Sequence, residues 1–410
     1  MDIQNINPLN VRLNMISGNL LPMTAKNSSF PALWKIYSSL VWLLGLVQTC
    51  ITIPGCIFVP KEKALKDGLV AIVVTIEVVF LVVQIHARRR LMQRLIEKLN
   101  NLLCVEDEMM KSAVMATLKP IKIPLKFYWI AGIVSIIIWS GVPFLLVLQR
   151  DTFFFVDYRM PIAYTKEPFS ASIFVFGSFI IMTSSMYIFT KKVSVDSYMI
   201  NLILLITAQY KYIALKLSMI FHDEISQFDH DSSNQKKHYS KANYDAEERM
   251  KSLCRHHNMV IRVTIILRKL LSLNFSLIYV ISILRFCGIA IMLISIPSIS
   301  LLEGSLIVMY ASGGIVQLYI ICSCVQKLLD ASVQITDQAF NEGWYRFGAS
   351  IKRTFILLIM ANNLELKLST FEKYNLSLPS FMAVSINVFC ILIFLLIFCK
   401  IIIVYFWTIF

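Results

Sequence analysis

Long apolar runs alternate with short charged segments along most of this chain. A membrane-spanning helix needs roughly 20 apolar residues, and backbone exposed to lipid satisfies its hydrogen bonds only as a helix or a closed barrel. The pattern therefore predicts an all-α membrane protein with seven transmembrane helices. The runs lie at about Leu33 to Phe58, Leu69 to Ile85, Phe127 to Leu148, about Ala171 to Phe189, about Leu270 to Ile296, about Leu301 to Val325 and about Leu378 to Phe398.

The segments between these runs also carry structural signals. Residues 193–221 repeat apolar positions at helical spacing, which predicts that the fourth helix continues beyond the membrane. Residues 222–244 are polar and rich in Ser and Asn, which predicts a flexible linker before a helical pattern resumes over residues 245–269. Residues 327–361 are amphipathic, so we predict a helical collar ahead of the last span.

Composition supports membrane insertion and shows how to interpret the charge. Hydrophobic residues make up 57% of the 410 positions and charged residues 16%, whereas soluble domains carry about 25% charged residues. The net charge of +14 could indicate nucleic-acid binding if the basic residues formed a soluble face. Because Lys and Arg lie in the gaps between apolar runs, we interpret the charge as topology information and expect no nucleic-acid partner.

The distribution of basic residues predicts the orientation. Segments on one side of the seven runs contain thirty Lys and Arg residues, and segments on the other side contain six. Two clusters, "HARRR" and Lys191 with Lys192, directly follow apolar runs, where the positive-inside rule is strongest. We therefore expect a cytoplasmic N-terminus and an extracellular C-terminus. Residues 1–30 lack the apolar core of a signal peptide, so the first span is expected to direct its own insertion.

Sequence signals for catalysis, metal binding and disulfides are weak. The nine cysteines lie mostly within apolar runs and form no Cys-x-x-Cys pair. His222, His230, His256 and His257 lack metal-ligand spacing, even with Cys254 nearby. No phosphate-binding glycine loop, nucleophile elbow or carboxylate pair is present. We therefore expect neither an enzyme nor a bound cofactor or metal.

Two ionisable residues lie inside predicted spans, Glu77 in the second and Arg285 in the fifth. Charged groups in lipid usually face the bundle interior and find a partner. One interpretation is a ligand or gating contact, and the other, which we favour, is a structural ion pair.

The outer halves of the second, third, fourth and sixth helices offer small, aromatic and hydroxyl side chains. An apolar cavity with one or two hydroxyls would suit small volatile or lipophilic ligands, although helix packing through small residues explains any single position equally well. The candidate ligand-binding residues are Thr75, Val78, Ser135, Ile138, Trp139, Gly177, Ile181, Ser184, Met309 and Tyr310, with Gly313 beside them.

Four segments together resemble the insect odorant receptor family. They are "SVDSYMINLILLITAQYKYIALKL" with Asp196, Gln209 and Leu215, "LCRHHNMVIR" with His257, "CSCVQKLLDASVQITDQAFNEGWYRF" from Cys322 to Phe347, and the terminal "LSLPSFMAVSINVF" with Ser377 and Phe381. The resemblance covers essentially the whole chain. Gustatory receptors share the architecture and are the nearest alternative.

The resemblance implies a tuning odorant receptor in the plasma membrane, which is a subunit of a ligand-gated, non-selective cation channel. Four subunits, including a shared co-receptor, would surround one pore lined by the last helix. The chain would then divide into helices one to six with the ligand pocket (1–326), an inter-subunit anchor region (327–377) and the pore-lining helix with its tail (378–410). The anchor would include Gln326, Trp344 and Tyr345, and a hydrophobic gate would include Phe394, Ile397 and Phe398.

Two other classes remain alternatives from the residues alone. A seven-helix receptor that couples to a soluble transducer would need an extracellular N-terminus, opposite to the predicted one. A transporter often shows internal repeats, and we find no repeat in this sequence.

Overall fold

The computed structural model describes residues 6–23, 30–104, 107–163, 166–230, 235–295, 301–341, 344–369, 378–379, 381–383 and 386. Within these ranges the backbone is almost entirely helical. The helices are α1 (Pro8–Ile16), α2 (Ala32–Phe58), α3 (Leu69–Ala87), α4 (Arg89–Leu103), α5 (Glu108–Gly141), α6 (Ala171–His230), α7 (Gln235–Ser295), α8 (Leu301–Asn341) and α9 (Ala349–Ser369). Shorter turns are helical at Lys61–Lys63, π-helical at Ala64–Gly68, and 3-10 at Val142–Leu148, Phe155–Asp157 and Trp344–Arg346.

Five helical segments are long and apolar enough to cross a membrane, and they match the predicted first, third, fourth, fifth and sixth spans. These segments are Ala32–Phe58, Glu108–Leu148, Ala171–Phe221, Tyr244–Ile289 and Ile307–Phe340. The predicted second span corresponds to a shorter apolar helix, Ile72–Ala87. Most of the predicted seventh span lies outside the described residues. The chain is therefore a multi-pass membrane protein.

Helix α6 is the centre of the bundle. It packs against α1, α2, α3, α5, α7 and α8, and its side chains from Thr190 to Tyr210 are buried without interruption. The peripheral helix α2 instead exposes Leu33, Leu40 and Leu46, on a face that lipid would cover. Hydropathy alone does not distinguish these two helices, because both are strongly apolar.

The predicted continuation of the fourth helix over residues 193–221 is confirmed, and Lys191 and Lys192, which follow the predicted fourth span, lie inside the bundle. Both side chains are buried, with exposed fractions of 2% and 3%. Lys191 Nζ lies 3.4 Å from the centroid of the Trp42 ring, and Lys192 forms an ion pair inside the bundle. These lysines are held by partners in neighbouring helices rather than by water.

The predicted flexible linker over residues 222–244 is also wrong for most of its length. Helix α6 continues to His230 and α7 begins at Gln235. The segment contains no Gly or Pro, and its Glu, Gln, Lys and Ala residues are good helix formers. Polarity alone is therefore not sufficient to predict a loop, because a solvent-exposed helix is polar as well.

The N-terminal segment folds back into the bundle beside α6. Asn7 donates from Nδ2 to Asn201 Oδ1 at 3.2 Å, and Asn19 donates from Nδ2 to the Lys191 carbonyl at 2.9 Å. The Tyr198 hydroxyl of α6 donates to the Pro22 carbonyl at 2.6 Å. The asparagines of this segment are thus structural side chains that satisfy buried backbone and amide groups.

Residues 149–163 and 166–170 form a cap over one end of the bundle, which we call the α5–α6 cap. Strands β1 (Thr152–Phe153) and β2 (Phe169–Ser170) pair antiparallel within it. The cap packs so closely on α2 that a Cβ at Gly55 would lie 2.5 Å from the backbone nitrogen of Ile162. The Ala163 N–H also donates to the Ile51 carbonyl at 3.1 Å. The cap is therefore fixed to the bundle by backbone contacts.

The predicted division of the chain at residues 326 and 327 falls inside a continuous helix. Helix α8 runs from Leu301 to Asn341 and therefore includes both the sixth span and the start of the predicted collar. Helix α9 continues the collar and packs on α7 and α8.

Candidate ligand-binding site

A cavity of about 420 Å³ lies within the bundle, between α3, α5, α6 and α8. The α5–α6 cap contributes Arg159 and Met160 to its wall, and α7 contributes Arg285. Most of the wall is apolar or aromatic. Pockets for small ligands typically measure about 300–1,000 Å³ and combine apolar walls with a few polar groups. The size and chemistry of this cavity fit a small, largely apolar molecule.

The structure brings half of the sequence-predicted ligand-binding residues onto this wall. Those residues are Thr75, Ser135, Trp139, Met309 and Tyr310, and Gly313 lies on the wall as well. They come from three different helices, α3, α5 and α8, so the cavity depends on how these helices are rotated against one another.

The other five predicted residues lie away from the wall. Val78 packs in the main hydrophobic core, and Ile181 packs in the separate core beneath the cap. Ile138 is 51% exposed on the outer face of α5. Ser184 donates to the Leu44 carbonyl at 3.5 Å, and Gly177 is buried in α6. Adjacent helix positions differ by about 100°, so neighbours of a wall residue can face lipid or another helix.

Aromatic side chains define the shape of the cavity on the α5 and α6 sides. Tyr128 and Phe189 meet edge to face, with ring centroids 5.5 Å apart. A Cβ at Gly132 would lie 2.1 Å from Phe189 Cζ, so glycine leaves the space that this ring occupies. Near the cap, the Arg159 guanidinium stands over the Trp139 ring at 5.4 Å. Sequence analysis identified Trp139 but not Tyr128, Gly132 or Phe189.

A buried charge cluster adjoins the cavity and consists of Glu77, Lys192, Asp196, Arg285 and Gln317. Glu77 Oε2 accepts from Lys192 Nζ at 2.6 Å and from Arg285 Nη2 at 2.7 Å. Arg285 Nη1 donates to Gln317 Oε1 at 3.1 Å, and Gln317 Nε2 donates to Asp196 Oδ2 at 2.8 Å. The structural ion pair between Glu77 and Arg285, favoured from the sequence, is present.

This cluster joins α3, α6, α7 and α8 by hydrogen bonds in the interior of the bundle. Buried charges usually persist only when they are paired or hydrogen-bonded. Here Glu77 pairs with Lys192 and Arg285, and Asp196 accepts a hydrogen bond from Gln317. Lys192 and Arg285 also line the cavity. The same two side chains therefore neutralise Glu77 in the core and form part of the cavity wall. The sequence signal was available, since Lys192 and Asp196 lie four residues apart in a helical run, on one face.

Two histidines near the collar serve as structural hydrogen-bonding groups. His256 Nε2 lies 3.1 Å from Gln209 Oε1, and His257 Nε2 lies 3.3 Å from Asn362 Oδ1. Asn362 Nδ2 donates in turn to the Ser332 carbonyl at 2.9 Å. Among the residues that the structure describes, no group of three His, Cys, Asp or Glu side chains could hold a metal ion.

The structure describes the three predicted anchor residues but not the three predicted gate residues. Gln326 donates to Asp330 Oδ1 at 2.7 Å on an exposed surface. The Trp344 ring stacks on Phe355 at 5.0 Å, so this side chain packs within its own chain, whereas Tyr345 is 59% exposed. The predicted gate residues Phe394, Ile397 and Phe398 lie outside the described residues.

Apolar helices around a ligand-sized cavity define a multi-pass membrane protein with space for a small molecule. The model of the 7tm odorant receptor family matches residues 64–406. The chain therefore belongs to the 7tm odorant receptor family, as the resemblance of its four segments predicted.

Solved structures share this fold. The insect olfactory receptor OR5 from Machilis hrabei, in complex with eugenol, superposes with a TM-score of 0.72 at 14% identity, covering 97% of this chain and 99% of that chain. A second structure of the same receptor gives a TM-score of 0.72 at 15% identity with the same coverage. A sequence search against curated proteins gives no match.

Proposed function

We propose that this protein is a tuning subunit of a ligand-gated, non-selective cation channel that binds small volatile molecules and opens together with a co-receptor. The observation that carries this proposal is the cavity of about 420 Å³, largely apolar and placed between four spans. A ligand that fills it contacts α3, α5, α6 and α8 at once. Binding can therefore bias how these helices pack, which is the requirement for a ligand to shift a conformational equilibrium.

The comparisons support the ligand class. One olfactory receptor with this fold is in complex with eugenol, a small molecule. The family match favours an odorant receptor over a gustatory receptor of the same architecture. We infer that the present cavity takes a neutral or weakly polar ligand of similar size class.

Channel opening would take place at the last helix. In this proposal residues 378–410 line a pore shared by four subunits, and Phe394, Ile397 and Phe398 form an apolar constriction that excludes water when closed. The collar, with Gln326, Trp344 and Tyr345, would contact neighbouring subunits.

The test is electrical recording from cells that express the chain with and without the co-receptor, during exposure to a panel of volatile molecules. We expect ligand-evoked cation current only when both subunits are present. Replacing Trp139 or Tyr310 with Ala should shift the half-maximal ligand concentration about tenfold, because each removes an aromatic wall.

Ile138→Ala is the matched control, since Ile138 neighbours Trp139 in sequence but is 51% exposed on the outer face of α5 and does not line the cavity. It should leave the dose–response unchanged. Surface protein is measured in every case. Unaltered responses for both aromatic variants would place the ligand elsewhere. A current that depends on neither ligand nor co-receptor would contradict the assignment as a ligand-gated subunit that needs a co-receptor, and no evoked current with both subunits present would contradict the channel assignment.

A further inference from the structure

The polar groups of the cavity wall are unevenly placed, and this asymmetry bears on which ligands fit. The charged residues on the wall are Asp67, Arg159, Lys192 and Arg285, while Glu77 and Asp196 of the charge cluster do not line it. The carboxylates of the cluster thus stand behind its two cations. A ligand approaching this part of the wall meets N–H donors.

Arg285 presents more N–H donors than its described partners use. It is only 8% exposed, and its Nη1 and Nη2 atoms donate to Gln317 and Glu77. Its Nε is enclosed by the protein without a hydrogen bond among the described residues, so a ligand in the cavity does not reach that atom. Nη1 and Nη2 each carry a second N–H, and since Arg285 lines the cavity, these are the donors that a ligand acceptor can meet. Lys192 Nζ, beside Arg285 on the wall, has three donors and donates to Glu77.

The charge balance argues against an ionised ligand. In and beside the cavity, the described residues include three cations, Arg159, Lys192 and Arg285, and three carboxylates, Asp67, Glu77 and Asp196. With every group in its ordinary ionised form, these charges sum to zero. An added anion or cation would be an uncompensated charge against a largely apolar wall, which is unfavourable, whereas a neutral acceptor needs only a donor.

We propose that the cavity selects neutral carbonyl compounds, namely ketones, aldehydes or esters with a medium-length apolar chain, and that the carbonyl oxygen accepts a hydrogen bond from Arg285. The apolar chain then lies along Tyr128, Ile136 and Phe189 of the wall. This inference rests on the proposed role of the cavity as the ligand site.

Binding by the full chain in lipid nanodiscs tests the proposal, followed by quenching of intrinsic tryptophan fluorescence, since Trp139 lies on the wall. The probes are octane, octan-2-one and octanoate, which share eight carbons. We expect octan-2-one to bind about tenfold more tightly than octane, as one hydrogen bond to a charged donor allows, and octanoate to bind no better than octane. Equal binding of octane and octan-2-one would overturn the proposal, and preferred binding of octanoate would replace it with an anion site.

A second measurement needs no substitution. The infrared carbonyl stretch of ¹³C-labelled octan-2-one bound to the native chain should lie below its value in hexane, because hydrogen bonding weakens the C=O bond. An unshifted band would show that the carbonyl meets no donor and would overturn the proposal.

The double variant Glu77→Gln/Arg285→Met removes one cation and one anion together, so the formal charge balance is kept and Lys192 still has an acceptor. We expect it to reduce the ketone preference to about twofold or less. Arg262→Met is the control, because it makes the same change at an exposed position of the same helix. Ser185→Ala tests a rival, a wall hydroxyl that also lacks a described partner.

The outcomes separate this inference from the proposed function. If Ser185→Ala abolishes the preference, or if the double variant retains it, Arg285 is not the donor. If the ranking of probes holds but no ligand evokes current, the binding inference stands and the channel proposal fails. If ligands evoke current without any preference for carbonyl compounds, this inference alone fails.

Discussion

Gly132 is the residue at which the shape of the cavity is most sensitive to one added atom. A methyl group there would lie 2.1 Å from Phe189 Cζ and 2.2 Å from its Cε1, so the ring must move. We expect Gly132→Ala to displace the Phe189 ring, to lower ligand affinity about tenfold and to reduce thermal stability by about 1–3 kcal/mol through overpacking. Ligand binding and thermal unfolding of the purified chain measure both effects.

Gly141→Ala is the matched control, because a Cβ at this position of the same helix meets nothing within 4 Å. The double variant Gly132→Ala/Phe189→Leu should recover ligand affinity, since the smaller leucine side chain leaves room for the added methyl group at position 132. If Gly132→Ala binds ligand as the native chain does, the ring contact does not shape the site.

The chemistry of a wall residue is easier to recognise in the sequence than the rotation of its helix. Ser135 and Tyr310 lie on the cavity wall, and they stand out in the sequence because hydroxyl-bearing side chains are unusual in an apolar run. Val78 and Ile138 were chosen by the same reasoning, yet they face the core and the outer surface. In a helix that is apolar all round, periodicity does not define the inner face.

At the scale of elements, the start of α5 is fixed by one side chain. Asp107 accepts from the Met109 N–H at 3.0 Å as the N-cap, from Lys216 Nζ at 2.8 Å and from the Tyr212 hydroxyl at 2.9 Å. It therefore joins the beginning of α5 to α6. The predicted third span began at Phe127 because the polar first turns of this helix carry no hydropathy signal.

Asp107 should make stability depend on pH in the acid range. Hydrogen bonding from Lys216 and Tyr212 holds the pKa of the Asp107 carboxyl below its usual value, against the opposing effect of burial. The contribution is therefore fully present above the unfolded pKa and is lost as pH falls through the lower folded pKa. At pH 7 we expect Asp107→Ala to lower stability by about 1 kcal/mol, with a smaller difference near pH 3.

Thermal unfolding at the two pH values measures this effect. Glu108→Gln is the control, because its carboxylate is 88% exposed and pairs with Lys111 in the i,i+3 position, a type of contact that contributes little. A difference between Asp107→Ala and the native chain that stays constant with pH would contradict the charge-dependent part of the argument.

Helix continuity is predictable from the sequence where apolar periodicity continues. Residues 193–221 keep this periodicity and are helical. Residues 222–230 and 235–244 lose the periodicity, so the pattern indicates a linker, yet they contain no Gly or Pro and several good helix formers. Helix α1 was missed because Asn10 and Asn14 look solvated in the sequence, while the fold buries them.

At the scale of the whole molecule, the charge asymmetry predicts the orientation in the membrane. Lys191 and Lys192 are buried inside the bundle, so we exclude them from the thirty basic residues on the predicted cytoplasmic side. The remaining twenty-eight still outnumber the six on the opposite side. We expect epitope tags at the two termini, probed on intact cells, to show only the C-terminal tag. Both tags should appear after permeabilisation, and an N-terminal tag at the surface of intact cells would reverse the predicted topology.

Glu77 Oε2 accepts hydrogen bonds from both Lys192 and Arg285, and this arrangement limits which residues of the cavity can be exchanged. Arg285 both lines the cavity and neutralises Glu77, and removing one partner of a buried ion pair typically destabilises a protein by about 3–5 kcal/mol. A substitution that retunes the cavity at Arg285 therefore threatens folding unless Glu77 changes with it. Wall positions such as Val74 and Ile136 carry no charge, so if this cavity is the ligand site, as proposed, new ligand preferences are most accessible to evolution, and to engineering, through these apolar positions.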